Sequence, residues 1–183
     1  MGVIIGITGT NGAGKGTIVE YLKTKGFKHY SVRDAIGEEI AKRGLELNRD
    51  TLIEVSNDMR SKHGPSYFVE YLFEKAKKEG SKCIIESIRT PGEIDALRKK
   101  GKFVLFAVDA NKNERYRRIL LRGEKTDNVT FKDFVEKEKL EMQSNDPNKQ
   151  NIKTCMDQAD YKFRNDSTKE DLFKKVKEVL HEI

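Results

Sequence analysis

The sequence is short of the residues that build disulfide scaffolds and metal clusters, with two cysteines and three histidines in 183 residues. Cys83 and Cys155 cannot form a disulfide framework of the secreted kind, and no group of cysteines and histidines has metal-ligand spacing. No apolar run approaches the roughly 18–20 residues that a membrane span requires. The first residues lack the basic stretch and long apolar core of a signal peptide, and Gly6 stands where a myristoylation signal needs Ser or Thr. Internal repeats and low-complexity linkers are also missing. These absences argue against a secreted, membrane-spanning or repeat architecture, and the expectation is a reducing, cytoplasmic setting without membrane contact.

What is present fits one domain over 1–183. Common domains hold about 100–200 residues, and a chain of this size can bury roughly two-thirds of its unfolded surface without covalent staples. Apolar and charged residues each make up 36%, and Lys plus Arg outnumber Asp plus Glu by 36 to 30, a net charge of +6. That excess points to an anionic partner, which charge alone leaves open between nucleic acid and phosphorylated metabolites. Basic residues are not interleaved with aromatics in a nucleic-acid-binding pattern, so a small molecule is the expected partner.

Short apolar runs alternate with longer amphipathic stretches. Residues 3–8 read as a buried strand and 14–24 as the helix after it, with further strands near 29–31, 82–86, 103–109 and 160–163. Helical patterns fall at about 33–43, 50–62, 66–79 and 112–122, the second and third separated by the stop signal His63-Gly64-Pro65. Thr90-Pro91-Gly92-Glu93 opens another helix, with an N-cap, proline at the first helical position and Glu three after the cap. The polar stretch 123–158 contains a capping box at Thr130-x-x-Asp133 and reads as an insertion over the sheet, and an amphipathic helix ends the chain. Strands alternating with helices imply a doubly wound α/β fold, a five-stranded parallel sheet covered on both faces.

The strongest local signal is GTNGAGKGT, residues 9–17, placed after a strand and opening a helix. Gly9, Gly12, Gly14 and Gly16 let the main chain wrap closely and aim N–H groups at phosphate oxygens, at a helix N-terminus whose dipole favours negative charge. Asn11 and Ala13 complete the loop, and Lys15 is placed to reach the β- and γ-phosphates of a nucleotide. Gly16 follows the lysine, so the metal-binding hydroxyl comes one residue later, at Thr17.

At these residues the sequence resembles the adenylate-kinase type of P-loop kinase, whose loop reads G-x-P-G-x-G-K-G-T; Asn11 replaces the proline. The segment 29–34, ending in Arg33-Asp34, is similar to the one after the second strand of nucleoside monophosphate kinases. Ile84-Ile85-Glu86-Ser87 and Arg89-Thr90 resemble their third strand and acceptor-binding Arg-Thr. Glu86 in place of Asp, and Ala159-Asp160-Tyr161-x-x-x-Asn165, look like dephospho-CoA kinase. The resemblance implies a kinase that uses ATP and Mg²⁺, with acceptor-binding helices over about 33–80, a lid over about 123–158, and Asn165 near the adenine. A nucleoside monophosphate leads as acceptor and dephospho-CoA follows. Gly37 stands where adenylate kinases carry an acceptor-phosphate arginine, and Arg33 can substitute for it.

Several residues keep two readings. Asp34 either serves the acceptor, as a base or by positioning Mg²⁺ waters, or closes the capping pattern Ser31-x-x-Asp34. Glu86 is a metal-side carboxylate or an ordinary polar strand end. Arg118 and Arg122, four apart on one helix face, are catalytic cations of the lid base or part of a solvated basic face shared with Arg115 and Arg117. Arg33, Arg60 and Arg89 are the expected acceptor clamps, since arginine recognises phosphate bidentately. Tyr67, Phe68, Tyr71 and Phe73 stack on a base or pack in the core. Asn111-Lys112-Asn113-Glu114 imitates a guanine-reading motif or simply caps a helix, so a GTPase or nucleotide-dependent assembly factor stands behind the kinase readings as a third alternative.

Overall fold

A computed structural model describes residues 2–80, 82–124 and 127–183. Among the described residues, five strands and nine helices follow one another as β1 (Ile4–Gly9), α1 (Lys15–Thr24), β2 (Lys28–Ser31), α2 (Val32–Lys42), α3 (Arg49–His63), α4 (Tyr67–Lys78), β3 (Cys83–Glu86), α5 (Pro91–Arg98), β4 (Phe103–Asp109), α6 (Lys112–Arg122), α7 (Phe131–Met142), α8 (Ile152–Asp157), β5 (Tyr161–Arg164) and α9 (Lys169–Leu180). All strand pairs are parallel and the order is β2-β3-β1-β4-β5. The expected doubly wound α/β fold is therefore present.

Alternation along the strands sends side chains to two cores. Ile4, Ile85 and Leu105 face α2, α3, α4, α5 and α8, whereas Ile5, Ile7, Ile84, Val104 and Phe106 face α1 and α9. The N-terminal caps fall where side-chain chemistry puts them. Thr90 with Glu93, and Thr130 with Asp133, form reciprocal capping boxes, as does Asn48 with Thr51. β1 lies between β3 and β4, so chain connections leave it toward opposite sides and open a crevice at the strand C-terminal ends.

Two expectations change. In the stretch 123–158, α8 packs on the sheet against β1 and β4 not as a polar cover but as a core element, with Cys155 in the main core and Ile152, three residues earlier, buried. Polar neighbours hid that short stripe. In the same stretch α7 is anchored by Phe134 at 0% exposure; Lys125 and Thr126, also within the expected lid, lie outside the described residues. The second change concerns α4, within the expected acceptor-binding insertion. It buries Phe68, Val69, Leu72 and Phe73 against the sheet and α5, which leaves α2 and α3 to face the crevice.

Candidate active site

The glycine-rich loop is built from backbone conformations that side chains would forbid. Gly12 has φ 77° and a Cβ there would meet the Arg115 carbonyl oxygen at 2.4 Å; at Gly9, φ 136°, it would meet Val108 O at 2.0 Å. The loop is pinned from outside. Thr10 Oγ1 donates to Asp109 at 2.6 Å, Asn165 Nδ2 donates to Ala13 O at 2.8 Å, and Arg115 Nη1 donates to Asn11 O at 3.2 Å. Gly14 caps α1 in a left-handed conformation without a side-chain hydrogen bond, and the first turn carries no acidic residue. The first N–H groups of α1 are thereby directed at whatever occupies the loop.

Lys15 folds back over the loop, donating to Gly9 O at 3.1 Å and Thr10 O at 2.9 Å. Burial lowers its ammonium to about 8, with Arg89 acting in the same direction and Glu86 and Glu141 opposing. A phosphate beside it would restore its ordinary range, so the site is electrostatically completed by an anion.

A cleft of about 490 Å³ opens in front of the loop. It is lined by Asn11, Gly12, Gly14, Lys15, Gly16 and Thr17 of the loop and α1, by Arg33 and Asp34 of α2, by Glu86, Ser87 and Arg89 at and after the end of β3, and by Arg118, Arg122 and Glu124 at and after α6. Glu86 accepts from the Ser87 hydroxyl at 2.9 Å. Burial works against its ionisation, but His29, Lys15 and Ser87 outweigh it and hold the carboxyl below its ordinary value. Thr17 and Glu86 offer hard oxygen donors on the same cleft, and no group of three or more His, Cys, Asp or Glu is gathered for a metal among the described residues. This fits Mg²⁺, which takes one or two protein oxygens together with phosphates and water.

The Ser31 hydroxyl accepts the Asp34 amide N–H at 3.1 Å, so the helix cap uses the main chain while the Asp34 side chain lines the cleft. The cap is Ser31 accepting from the main chain of residue 34, not a reciprocal box through the Asp34 carboxylate, among the described residues. Arg118 donates from Nη2 to Asn165 O at 3.0 Å, while its buried Nη1 makes no hydrogen bond among the described residues. Arg122 grips Asp127 at 2.8 and 2.7 Å, which raises its pKa, and Arg33 meets Glu124 at 2.9 Å. Asn165 supports the loop from behind.

A smaller pocket of about 60 Å³ adjoins the cleft between α2, α3 and α7, lined by Arg33, Arg49, Arg89, Glu141, Gln150 and the apolar Ile36, Leu52 and Ile53. Arg60 is a correction. It is 0% exposed, pairs with Glu93 at 3.0 Å beneath Phe68, and lines neither space. Arg49, at the other end of α3, lines the smaller pocket. Arg115 is a second correction, since it is buried against Glu138 and Phe134 rather than solvated. Ser87, just past the end of β3, has an unusual backbone. Its φ of 71° makes it the one non-glycine in the left-handed region among the described residues, beside both spaces. Neither space is lined by Phe or Tyr, and Asn111 caps α6 by accepting from Asn113 N–H at 3.0 Å.

Residues 5–144 match the AAA domain family. A UPF0200 protein of Sulfurisphaera tokodaii is 32% identical over 182 residues, covering 98% of this chain and 97% of that protein. One from Thermococcus gammatolerans is 29% identical over 187 residues, covering 99% and 95%. Among solved structures, TT1252 from Thermus thermophilus superposes with TM-score 0.62 at 23% identity, covering 99% of this chain and 97% of that one. A shikimate kinase from Bacteroides thetaiotaomicron gives 0.60 at 16% identity, covering 98% of both chains. The shared fold is that of P-loop small-molecule kinases.

Proposed function

The chain belongs to the UPF0200 family, with an AAA domain of P-loop kinase-like fold, and from that premise we propose that it is an ATP-dependent phosphotransferase acting on a small anionic acceptor. The observation that carries this reading is the juxtaposition of two spaces at one sheet edge, a phosphate-cradling loop and an arginine-lined pocket that share Arg33, Ser87 and Arg89. A nucleotide switch needs only the first; a transferase needs both.

In this reading the loop amides and Lys15 hold the donor phosphates. Thr17 and Glu86 would hold Mg²⁺, which would supply positive charge against those phosphates. Arg33 and Arg89 orient the acceptor, and Arg118, with its unpartnered Nη1, and Arg122 close on the transferring group, whose charge spreads over three oxygens. Catalysis is then positioning and electrostatics. Asn165 keeps the loop in shape next to the nucleotide. The segment between α6 and α8 serves as lid.

A nucleoside monophosphate leads as acceptor, because planar arginine forks suit a phosphate monoester. With no Phe or Tyr lining either space, base stacking contributes little and selection among bases should be weak. Dephospho-CoA is the second reading, favoured by Glu86 at the strand end. The test is transfer from ATP across a panel of nucleoside monophosphates and dephospho-CoA. Similar rates on several monophosphates are expected; transfer to dephospho-CoA alone selects the second reading. Asn111 as a helix cap also leads to the expectation that ATP is preferred to GTP.

A further inference from the structure

We propose that Arg49 and Arg89 form the seat of the acceptor's anionic group, and that Glu141 of α7 is an internal occupant which the acceptor must displace. The identity of the visitor rests on the kinase reading; the seat and its occupant rest on geometry alone. Glu141 Oε1 lies 2.9 Å from Arg49 Nε, and Oε2 lies 3.0 Å from Arg89 Nη1. Each carboxylate oxygen is thus held by a different arginine, from segments far apart in the chain. Arg49 is 8% exposed and Glu141 5%.

Two features mark this as a binding arrangement rather than a staple, and a third leaves it a donor to spare. The seat holds two guanidinium groups, of Arg49 and Arg89, against the single carboxylate of Glu141, so positive charge is in excess there. Arg49 Nη1 is buried and makes no hydrogen bond among the described residues, a donor open to a ligand, although the core residue Arg60 carries such nitrogens too. Arg49 also occupies the first position of α3, next to its N-cap Asn48, where the helix dipole disfavours a cation. A second anion would relieve all three.

The occupant sets the ligand class. Glu141 is tethered, so its effective concentration at the seat is on the order of millimolar or more, and a free monocarboxylate competes on poor terms. A phosphate monoester, with about two negative charges and three acceptor oxygens, can engage both forks and the unused Nη1. The apolar wall of Ile36, Leu52 and Ile53 limits water around it. Departure of Glu141 is also felt at the nucleotide loop. Glu138, one turn earlier on α7, pairs with Arg115, which donates to Asn11 O.

The experiment fills the loop with a non-hydrolysable ATP analogue and Mg²⁺, then titrates inorganic phosphate, and separately acetate, by calorimetry. Glu141→Gln should bind phosphate at least tenfold more tightly than the native chain and bring acetate into measurable range, and adding Arg49→Ala should cancel the gain. Unchanged or weaker phosphate binding in Glu141→Gln, or a gain that survives Arg49→Ala, would overturn the proposal. If Glu141→Gln does not fold, hydrogen exchange on the native chain decides. Amides of α7 should exchange faster when phosphate is added to the analogue-loaded protein, and equal or slower exchange contradicts displacement. Because binding is read without turnover, a chain that transfers no phosphate can still show the seat, and a working kinase can still fail this test.

Discussion

The two halves of the cleft are held together differently. On the nucleotide side, glycines in left-handed conformations and main-chain carbonyls shape the loop, and each fastening, from Thr10, Asn165 or Arg115, is a single hydrogen bond to backbone or to a strand-end carboxylate. On the side proposed for the acceptor, the buried Arg49 and half-buried Arg89 face Glu141 of a distant helix, with the Arg60–Glu93 pair in the core behind them. A loop built from backbone is fixed before ligand arrives. A pocket built from ion pairs is closed by its own charges and can exchange partners.

The sharpest separation between functional and structural arginines on α3 is energetic. Arg60→Ala leaves Glu93 as an unpaired buried carboxylate and should cost about 3–5 kcal/mol in denaturant unfolding. Loss within 1 kcal/mol would mean the pair is not a core element. Lys15→Ala should leave the fold intact and lower turnover by about 10²–10³-fold, the usual cost of one donor aimed at developing charge. Unchanged turnover in a folded variant would break the nucleotide half of the comparison.

Smaller effects come from residues that position others. Arg115→Lys keeps the charge but not the fork that joins Asn11 to Glu138, and should weaken ATP binding about tenfold, roughly one charge-assisted hydrogen bond. For Asp34→Asn the expectation is a loss of about tenfold or less with a monophosphate acceptor, whose oxygen is already ionised. A collapse of about 10²-fold or more, in a folded protein that still binds ATP, would point to a hydroxyl acceptor whose proton Asp34 takes.

The smallest effect is a pH dependence. Lys15 is lowered to about 8 in the free protein, against 10.5 when exposed. Between those values the unfolded chain binds more protons, so Lys15 costs stability below about pH 8 and the cost fades as pH rises through that window. Phosphate binding reverses the shift. Nucleotide binding at pH values above about 8 should therefore take up a proton and weaken with rising pH, measurable by calorimetry in buffers of different ionisation enthalpy.

Legibility in the sequence follows the same division. The loop, its flanking strand and helix, the capping boxes and the sheet class are local patterns and could be read directly. The acceptor side depends on pairings between distant segments. Arg49 and Arg60 differ by 60 − 49 = 11 positions on one helix, close to three full turns, so periodicity puts both on one face. Only the partner that each end meets, Glu141 or Glu93, separates clamp from core. Arg115 was hidden by basic neighbours, because its burial requires Phe134 and Glu138 from α7. The positive φ of Ser87 has no sequence signal, since serine carries none of glycine's preference for that region.

The central claim is that the two spaces act together in phosphoryl transfer. The most direct measurement follows γ-labelled ATP with Mg²⁺ and a nucleoside monophosphate, separating labelled acceptor from released phosphate, for the native chain and for Lys15→Ala. Label should appear on the acceptor in the native chain and be lost with Lys15→Ala. Release of labelled phosphate alone, with no label on a nucleoside monophosphate or on dephospho-CoA offered in its place, would contradict the account and leave a nucleotide hydrolase.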